Sequence, residues 1–119
     1  LMETELEHPF VQTELMMPIL PLVRAKDVDT AIDMAVDVEH GNRHTAMMHS
    51  KNVDKLTRMA KLIQTTIFVK NGPSYAGIGV GGEGYTTFTI AGPTGEGLTS
   101  AKSFTRKRRC TLVGGFHIK

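Results

Sequence analysis

Residues with catalytic or ligand-binding chemistry recur along this 119-residue chain, and each group carries a spacing that can be tested. His40 and His44 are four apart, as in a helical metal pair, but Gly41-Asn42 between them is a helix terminator, so the imidazoles need not share a face. No acidic or cysteine partner stands at ligand spacing, so His40 reads as a helix end, His44 as a loop residue, and no metal is expected. Cys110 lies among Arg106, Lys107, Arg108 and Arg109, cations that favour a thiolate. On a strand it alternates with them and reads as structural. Gly77-Ile-Gly79-Val-Gly81-Gly82 fits G-x-G-x-x-G, a pattern that needs a helix N-terminus behind it to receive a pyrophosphate. The next stretch is instead the β-branched, aromatic run Tyr85-Thr-Thr-Phe-Thr-Ile90, so a structural glycine loop is expected. Gly92-Pro-Thr-Gly-Glu-Gly97-Leu98-Thr99 imitates a P-loop but has Leu98 in place of the lysine that holds the phosphates. Gly72-Pro-Ser74-Tyr-Ala76 misses the nucleophile elbow of serine hydrolases by one glycine.

The basic run is the strongest rival signal. On strand periodicity Arg106 and Arg108 point one way and Lys107 and Arg109 the other, and no aromatic lies among them to stack on a base. A charged edge or interface strand is the better reading, because such charge discourages uncontrolled strand pairing. The alternative is a small basic-stranded module contacting nucleic acid or an acidic partner, whose binding would fall steeply with salt.

These groups must be positioned by local structure. Pro18-Ile-Leu-Pro-Leu-Val-Arg24 is β-compatible, its two prolines confining it to an edge. Asp27 can cap a helix with the apolar stripe Val28, Ala31, Ile32, Ala35 and Val36, with Asp29, Asp33 and Asp37 facing water and Gly41-Asn42 ending it. Thr45 to His49 is a second strand candidate, after which Ser50 or Asn52 can cap a helix carrying Val53, Leu56, Ala60 and Ile63 on one face. Thr65 to Lys70 is the third strand. Strand, helix, strand, helix, strand is the signature of right-handed βαβ crossovers on a parallel sheet, and an α/β class is expected. Phe104 to Val113 reads as a long later strand. Nine of the 12 glycines fall between Gly72 and Gly97, and loops of this length, 71–84 and 91–103, point to a binding surface or subunit contact.

The whole chain sets broad limits. Its hydrophobic fraction of 40% and charged fraction of 22% are ordinary for a globular domain, and no apolar run approaches the roughly 20 residues a spanning helix needs, so no membrane partner is expected. A net charge of +2 does not by itself imply nucleic acid. A single cysteine excludes an internal disulfide framework and suits a reducing cytosol. The first residues, Leu1-Met-Glu-Thr-Glu-Leu6, already read as folded sequence, which points to an upstream portion.

Taken together, Thr13-Glu14-Leu-Met-Met-Pro18-Ile-Leu-Pro, His40-Gly-Asn-Arg-His44-Thr-Ala, Ile67-Phe-Val-Lys-Asn71-Gly-Pro and Gly81-Gly-Glu-Gly84 through Thr94-Gly-Glu-Gly97 resemble the CoA-acylating aldehyde dehydrogenases, in particular the propionaldehyde and acetaldehyde enzymes of bacterial propanediol and ethanolamine utilisation. The resemblance covers essentially the whole chain and implies the C-terminal part of a longer enzyme: residues 1–97 as the βαβαβ later half of a catalytic domain and residues 98–119 as a β arm for oligomerisation. The implied reaction begins with a cysteine thiolate attacking a short aliphatic aldehyde; the thiohemiacetal gives hydride to NAD and becomes a thioester, and coenzyme A takes the acyl group. That nucleophile belongs upstream of residue 1, so Cys110 does not match it and no catalytic residue is expected here. The resemblance places Glu14 against the nicotinamide ribose hydroxyls, with Met16 and Pro18 completing the cofactor contact; Met16 replaces the family's phenylalanine, a flexible thioether filling its place. Asn71, Gly72 and Pro73 match a turn bordering the substrate tunnel. The partners implied are the chain itself in a homo-oligomer and a microcompartment shell, with cytoplasm or microcompartment lumen as location. NAD against NADP is left open.

Overall fold

The computed structural model describes residues 1–82, 104–111 and 113–114. In chain order the elements are β1 (Met2–Glu3), α1 (Pro9–Gln12), β2 (Pro21–Leu22), α2 (Val28–Val38), β3 (Thr45–Met48), α3 (Val53–Ile63), β4 (Ile67–Lys70) and a 3₁₀ helix at Ser74–Ile78. Among the described residues the class is α/β with parallel pairing, as expected.

Local signals explain both long helices. The Asp27 carboxylate accepts from Thr30 N–H at 2.8 Å, and Asn52 Oδ1 accepts from Lys55 N–H at 3.1 Å, each satisfying a donor that the first helical turn leaves unpaired. Ser50 Oγ in turn accepts from Asn52 N–H at 3.0 Å, so both candidate caps of α3 act, one behind the other. Left-handed residues follow both helices: His40 and Gly41 beyond α2, and Gln64 at the end of α3.

The expectation of one βαβαβ sheet is corrected. β1 pairs in parallel with β2 (Met2↔Pro21, Glu3↔Leu22), and β3 pairs in parallel with β4 (Thr45↔Ile67 through Met48↔Lys70), giving two separate two-stranded sheets. Pro18 and Pro21 lack N–H groups and shorten the first predicted strand, and its acceptors are taken by the chain start: Met2 N–H donates to Leu20 C=O and Thr4 N–H to Leu22 C=O, both at 2.9 Å. An Arg24–Glu3 fork, 2.5 Å at Nε and 3.1 Å at Nη2, closes the far end of that pair. Among the described residues β1, α1 and β2 form one parallel crossover, and β3, α3 and β4 form a second, larger one.

That crossover holds the core. Ile32 from α2 packs with Met59 and Ile63 from α3, and Ala35, Val36, Ala46, Met48 and Phe68 close around them. Ala46, Met48 and Phe68 share the helix-facing side of the sheet, while Ile67 and Val69 are buried on the other side, where the 3₁₀ helix lies over them. The stripe of α3 differs from expectation: Leu56, Met59 and Ile63 are buried, and Val53 and Ala60 are exposed. At ~100° per residue Leu56, Ile63 and Met59 fall within an arc of about 60°, and Ala60 and Val53 lie on the flank beyond Leu56, about 40–60° from it. Asp29 and Asp33 do not simply face water. Lys55 Nζ meets Asp29 Oδ2 and Arg58 Nη2 meets Asp33 Oδ1, both at 2.6 Å, joining the rims of α2 and α3.

Gly77 justifies the expectation that glycines let backbone approach a strand: a Cβ there would lie 2.3 Å from Ile67 Cγ2. The loop expected over 71–84 is therefore partly ordered by a 3₁₀ helix, ended by left-handed Gly79. Phe104 to Val113, expected as a long strand, carries none over its described residues, which are exposed. An extended segment is a strand only when a neighbour pairs with its row of N–H and C=O groups, and none of the described strands does so. The run Tyr85 to Ile90, the P-loop-like Gly92 to Thr99, the loop 91–103 and the boundary at 97/98 lie outside the described residues.

Candidate functional site

Glu14 follows directly on α1 and its cap. α1 is short, started by Pro9 and capped by His8, whose Nδ1 accepts from Phe10 N–H at 3.1 Å. Gln12 Nε2 donates to Leu6 C=O at 2.6 Å and Thr13 N–H donates to Pro9 C=O at 3.0 Å, fixing where the chain leaves toward Glu14. Glu14 is exposed, on the wall of a cleft of about 360 Å³ that Glu39, His40, Asn42, His44 and Thr45 line from the opposite side.

The far wall is the turn between α2 and β3. His40 (φ 52°), Gly41 (φ 78°) and Arg43 (φ 54°) are left-handed, a conformation that glycine adopts readily and other residues at a cost of about 1–2 kcal/mol each. Hydrogen bonds offset that cost. Asn42 donates both its N–H and its Nδ2 to Glu39 C=O at 3.1 Å, the Glu39 carboxylate accepts from Arg43 N–H, and Arg43 C=O accepts from Thr66 N–H at 2.9 Å and Thr66 Oγ1 at 3.2 Å. His44 Nδ1 and Thr45 Oγ1 are 2.6 Å apart, which orients the imidazole, and His44 C=O accepts from Ile67 N–H at 3.1 Å at the entry to the sheet. The two histidines, read from sequence as unrelated, thus line one cleft with Glu14. The missed signal is that a turn with several left-handed residues reverses the chain, so two side chains flanking it come to the same side although no helix joins them.

The other expected site residues lie elsewhere. Met16 is 88% exposed and Pro18 is exposed, neither of them lining the cleft. Asn71 (φ 55°) is at the exit of β4; its Oδ1 accepts from Ser50 N–H at 2.7 Å, its Nδ2 donates to Ser50 C=O at 2.9 Å, and its own N–H donates to Met48 C=O at 3.0 Å. Gly72 has room for a Cβ, whose nearest neighbour would be Val69 Cγ1 at 3.4 Å, and Pro73 caps the 3₁₀ helix. The Glu14 cleft meets β3 where it starts and Asn71 stands where β3 and β4 end, so the two expected groups are separated by the length of a four-residue strand, roughly 13 Å. What the cleft can do depends on its groups. Carboxylates accept hydrogen bonds from paired hydroxyls, and imidazoles accept or donate protons near neutrality.

Known proteins share this fold. Residues 1–103 match the model described as the aldehyde dehydrogenase family. The chain is 60% identical over 113 residues to a propanal dehydrogenase (CoA-propanoylating) of Salmonella typhimurium, covering 95% of this chain and 24% of that protein. A crystal structure of Rhodopseudomonas palustris propionaldehyde dehydrogenase with bound CoA and an acylated cysteine superposes with a TM-score of 0.86 at 77% identity, over 93% of this chain and 25% of that one. A propionaldehyde dehydrogenase from the Clostridium phytofermentans fucose utilisation bacterial microcompartment gives 0.84 at 64% identity, over 92% and 25%. The chain therefore spans about a quarter of the length of the relatives it matches. With its parallel strand pairs, their covering helices and the cleft between α1 and the His40–His44 turn, the chain belongs to the aldehyde dehydrogenase family.

Proposed function

We propose that this chain is the C-terminal part of an oxidoreductase that converts a short aliphatic aldehyde, NAD and coenzyme A to acyl-CoA and NADH, with its nucleophilic cysteine in another part of the protein. The observation that carries the reading is 60–77% identity over more than nine tenths of the chain to enzymes described as CoA-propanoylating or seen with bound CoA. The alternative of a basic-stranded nucleic-acid module is set aside: the family match accounts for residues 1–103, and Arg106–Arg109 form no strand.

The residues present suit the two co-substrates. Glu14 is an accessible carboxylate on a cleft wall, able to accept from both hydroxyls of a ribose at once, and Met16, outside the cleft lining, has an exposed thioether for a part of the cofactor that extends beyond the cleft. NAD supplies the hydride acceptor when bound. On the opposite wall His40 and His44 offer an imidazole for the proton that coenzyme A's thiol loses before attacking an acyl group. Asn71, Gly72 and Pro73 border the substrate tunnel, Asn71 shaping it through Ser50. Residues 98–119 form the oligomerisation arm, acquiring strand pairing from a second copy, and the assembled enzyme is housed in a microcompartment like its Clostridium phytofermentans relative.

The test is Glu14→Gln in the full-length enzyme, assayed for aldehyde-, CoA- and NAD-dependent NADH formation, with NADP run in parallel. Losing a charge-assisted pair of hydrogen bonds should raise the KM for NAD about tenfold or more while acylation of the enzyme by an activated ester is unchanged. Unaltered NAD kinetics would remove Glu14 from the cofactor site. A wild-type enzyme that forms no NADH from any short aldehyde in the presence of CoA would remove the activity.

A further inference from the structure

We infer that Glu39 and Thr66 are positioning residues that hold the His40–His44 turn in its left-handed form and so present both imidazoles to the Glu14 cleft. The inference rests on the reading of that cleft as the cofactor and acyl-transfer site. Its physical basis lies in one residue, Arg43. With φ at 54°, Arg43 is in a region that an unbranched L-residue leaves unless its polar groups are tied down. Both are tied, and from different elements. Its N–H donates to the Glu39 carboxylate at the end of α2, and its C=O accepts the Thr66 N–H and Oγ1 at the entry to β4.

The consequence reaches the imidazoles through the backbone. His44 is the next residue, its C=O fixed by Ile67 N–H at 3.1 Å and its ring oriented by Thr45 Oγ1 at 2.6 Å. His40 directly follows Glu39 and is itself left-handed at φ 52°. If Arg43 relaxed to a right-handed or extended conformation, the direction of the chain between His40 and His44 would change, and the two rings would no longer meet Glu14 across one cleft. Gly41 takes its own left-handed φ at no steric cost, and since a Cβ added there would meet nothing within 4 Å, no packing on that outer side ties down its neighbours. Glu39 and Thr66 hold the turn from inside.

The experiment uses the full-length enzyme and separates the NADH burst, which reports thioester formation, from acyl transfer to CoA by rapid mixing. Glu39→Ala should slow acyl transfer roughly 10- to 100-fold, as expected for a reacting group displaced by about an ångström, and by clearly more than it lowers the burst, since Glu39 also lines the cofactor cleft. Glu39→Gln keeps an acceptor for Arg43 N–H and should restore most of the rate. Thr66→Val, which removes only the hydroxyl bond, should lie between. The decisive variant is Arg43→Gly on the Glu39→Ala background: glycine adopts a positive φ without the steric cost, so acyl transfer should recover in part. The inference is overturned if Glu39→Ala transfers acyl groups at the wild-type rate, if burst and transfer fall together along with the thermal midpoint, or if Arg43→Gly rescues nothing. Failure of the cleft reading looks different: His40→Asn and His44→Asn would both leave transfer intact, while amide exchange at Arg43 in Glu39→Ala would still report whether the carboxylate holds the turn.

Discussion

Replacing Gly77 by alanine asks whether the backbone contact between the 3₁₀ helix and β4 is as tight as its distances imply. The new methyl would lie 2.3 Å from Ile67 Cγ2 and 3.5 Å from Val69 Cγ2. Reaching an ordinary contact of 3.4 Å at Ile67 requires a shift of about 1 Å, and Ile67 cannot easily give way. It is 8% exposed, and its β-branched side chain has little rotamer freedom. Two effects oppose each other. Alanine restricts the unfolded chain, a gain of about 0.4–1 kcal/mol, while overpacking a filled site costs about 1–3 kcal/mol. The second should win, leaving a net loss of about 1–2 kcal/mol, read as a lowered urea midpoint at unchanged slope. A double-mutant cycle identifies the atom responsible. Ile67→Val keeps Cγ2 and should leave the Gly77→Ala penalty intact, whereas Ile67→Ala removes Cγ2 and should show a coupling of about 1 kcal/mol or more. A Gly77→Ala protein as stable as wild type, or equal coupling in both cycles, would refute the reasoning.

Two further outcomes rest on the geometry. Asn71→Ala loses both amide bonds to Ser50 and keeps the left-handed backbone cost, whereas Asn71→Gly loses the same bonds but relieves that cost; amide exchange of Ser50 and Asn52 should therefore accelerate more in the alanine variant, and equal acceleration would contradict it. The Thr30 N–H donated to its carboxylate holds Asp27 below the usual carboxylate range. Its charged form is favoured in the folded state, so this contribution is complete above the ordinary aspartate value and is lost as pH falls through the lower folded value. Asp27→Asn, which caps without titrating, should flatten that acid limb of a stability–pH profile measured by urea unfolding.

Much of this fold can be read from local sequence because local chemistry decides it. Asp27 and Asn52 announce α2 and α3 through their caps, and the helix-to-strand order around them follows from apolar periodicity. Pairing is another matter. Nothing in Met2–Glu3 marks a strand, since two residues carry no period, so the division into two sheets is invisible locally and the true partner of Pro18 to Arg24 cannot be picked out. The burial of Met59 over Ala60 depends on where α2 crosses α3, a tertiary fact. At the site, Glu14 can be placed only by family resemblance. Its union with His40 and His44 is hidden because the left-handed φ at Arg43 falls on a residue type that gives no local signal for it, and the bonds from Glu39 and Thr66 to Arg43 come from outside the turn. The glycine contact at Gly77 is legible in kind but not in address.

The parallel register of β3 on β4 also bears on how this region can vary over evolutionary time. Side chains alternate between the two faces of a strand, so an added or deleted residue between Glu39 and Thr45 must be absorbed within the turn, because passing it on to β3 would exchange Ala46 and Met48 for Met47 against the helices. The five residues of the His40–His44 turn are thus a ruler as well as a chemical tool. Changes in length are more readily accommodated beyond Gly79, where Val80, Gly81 and Gly82 are exposed and no strand follows in phase with the core among the described residues.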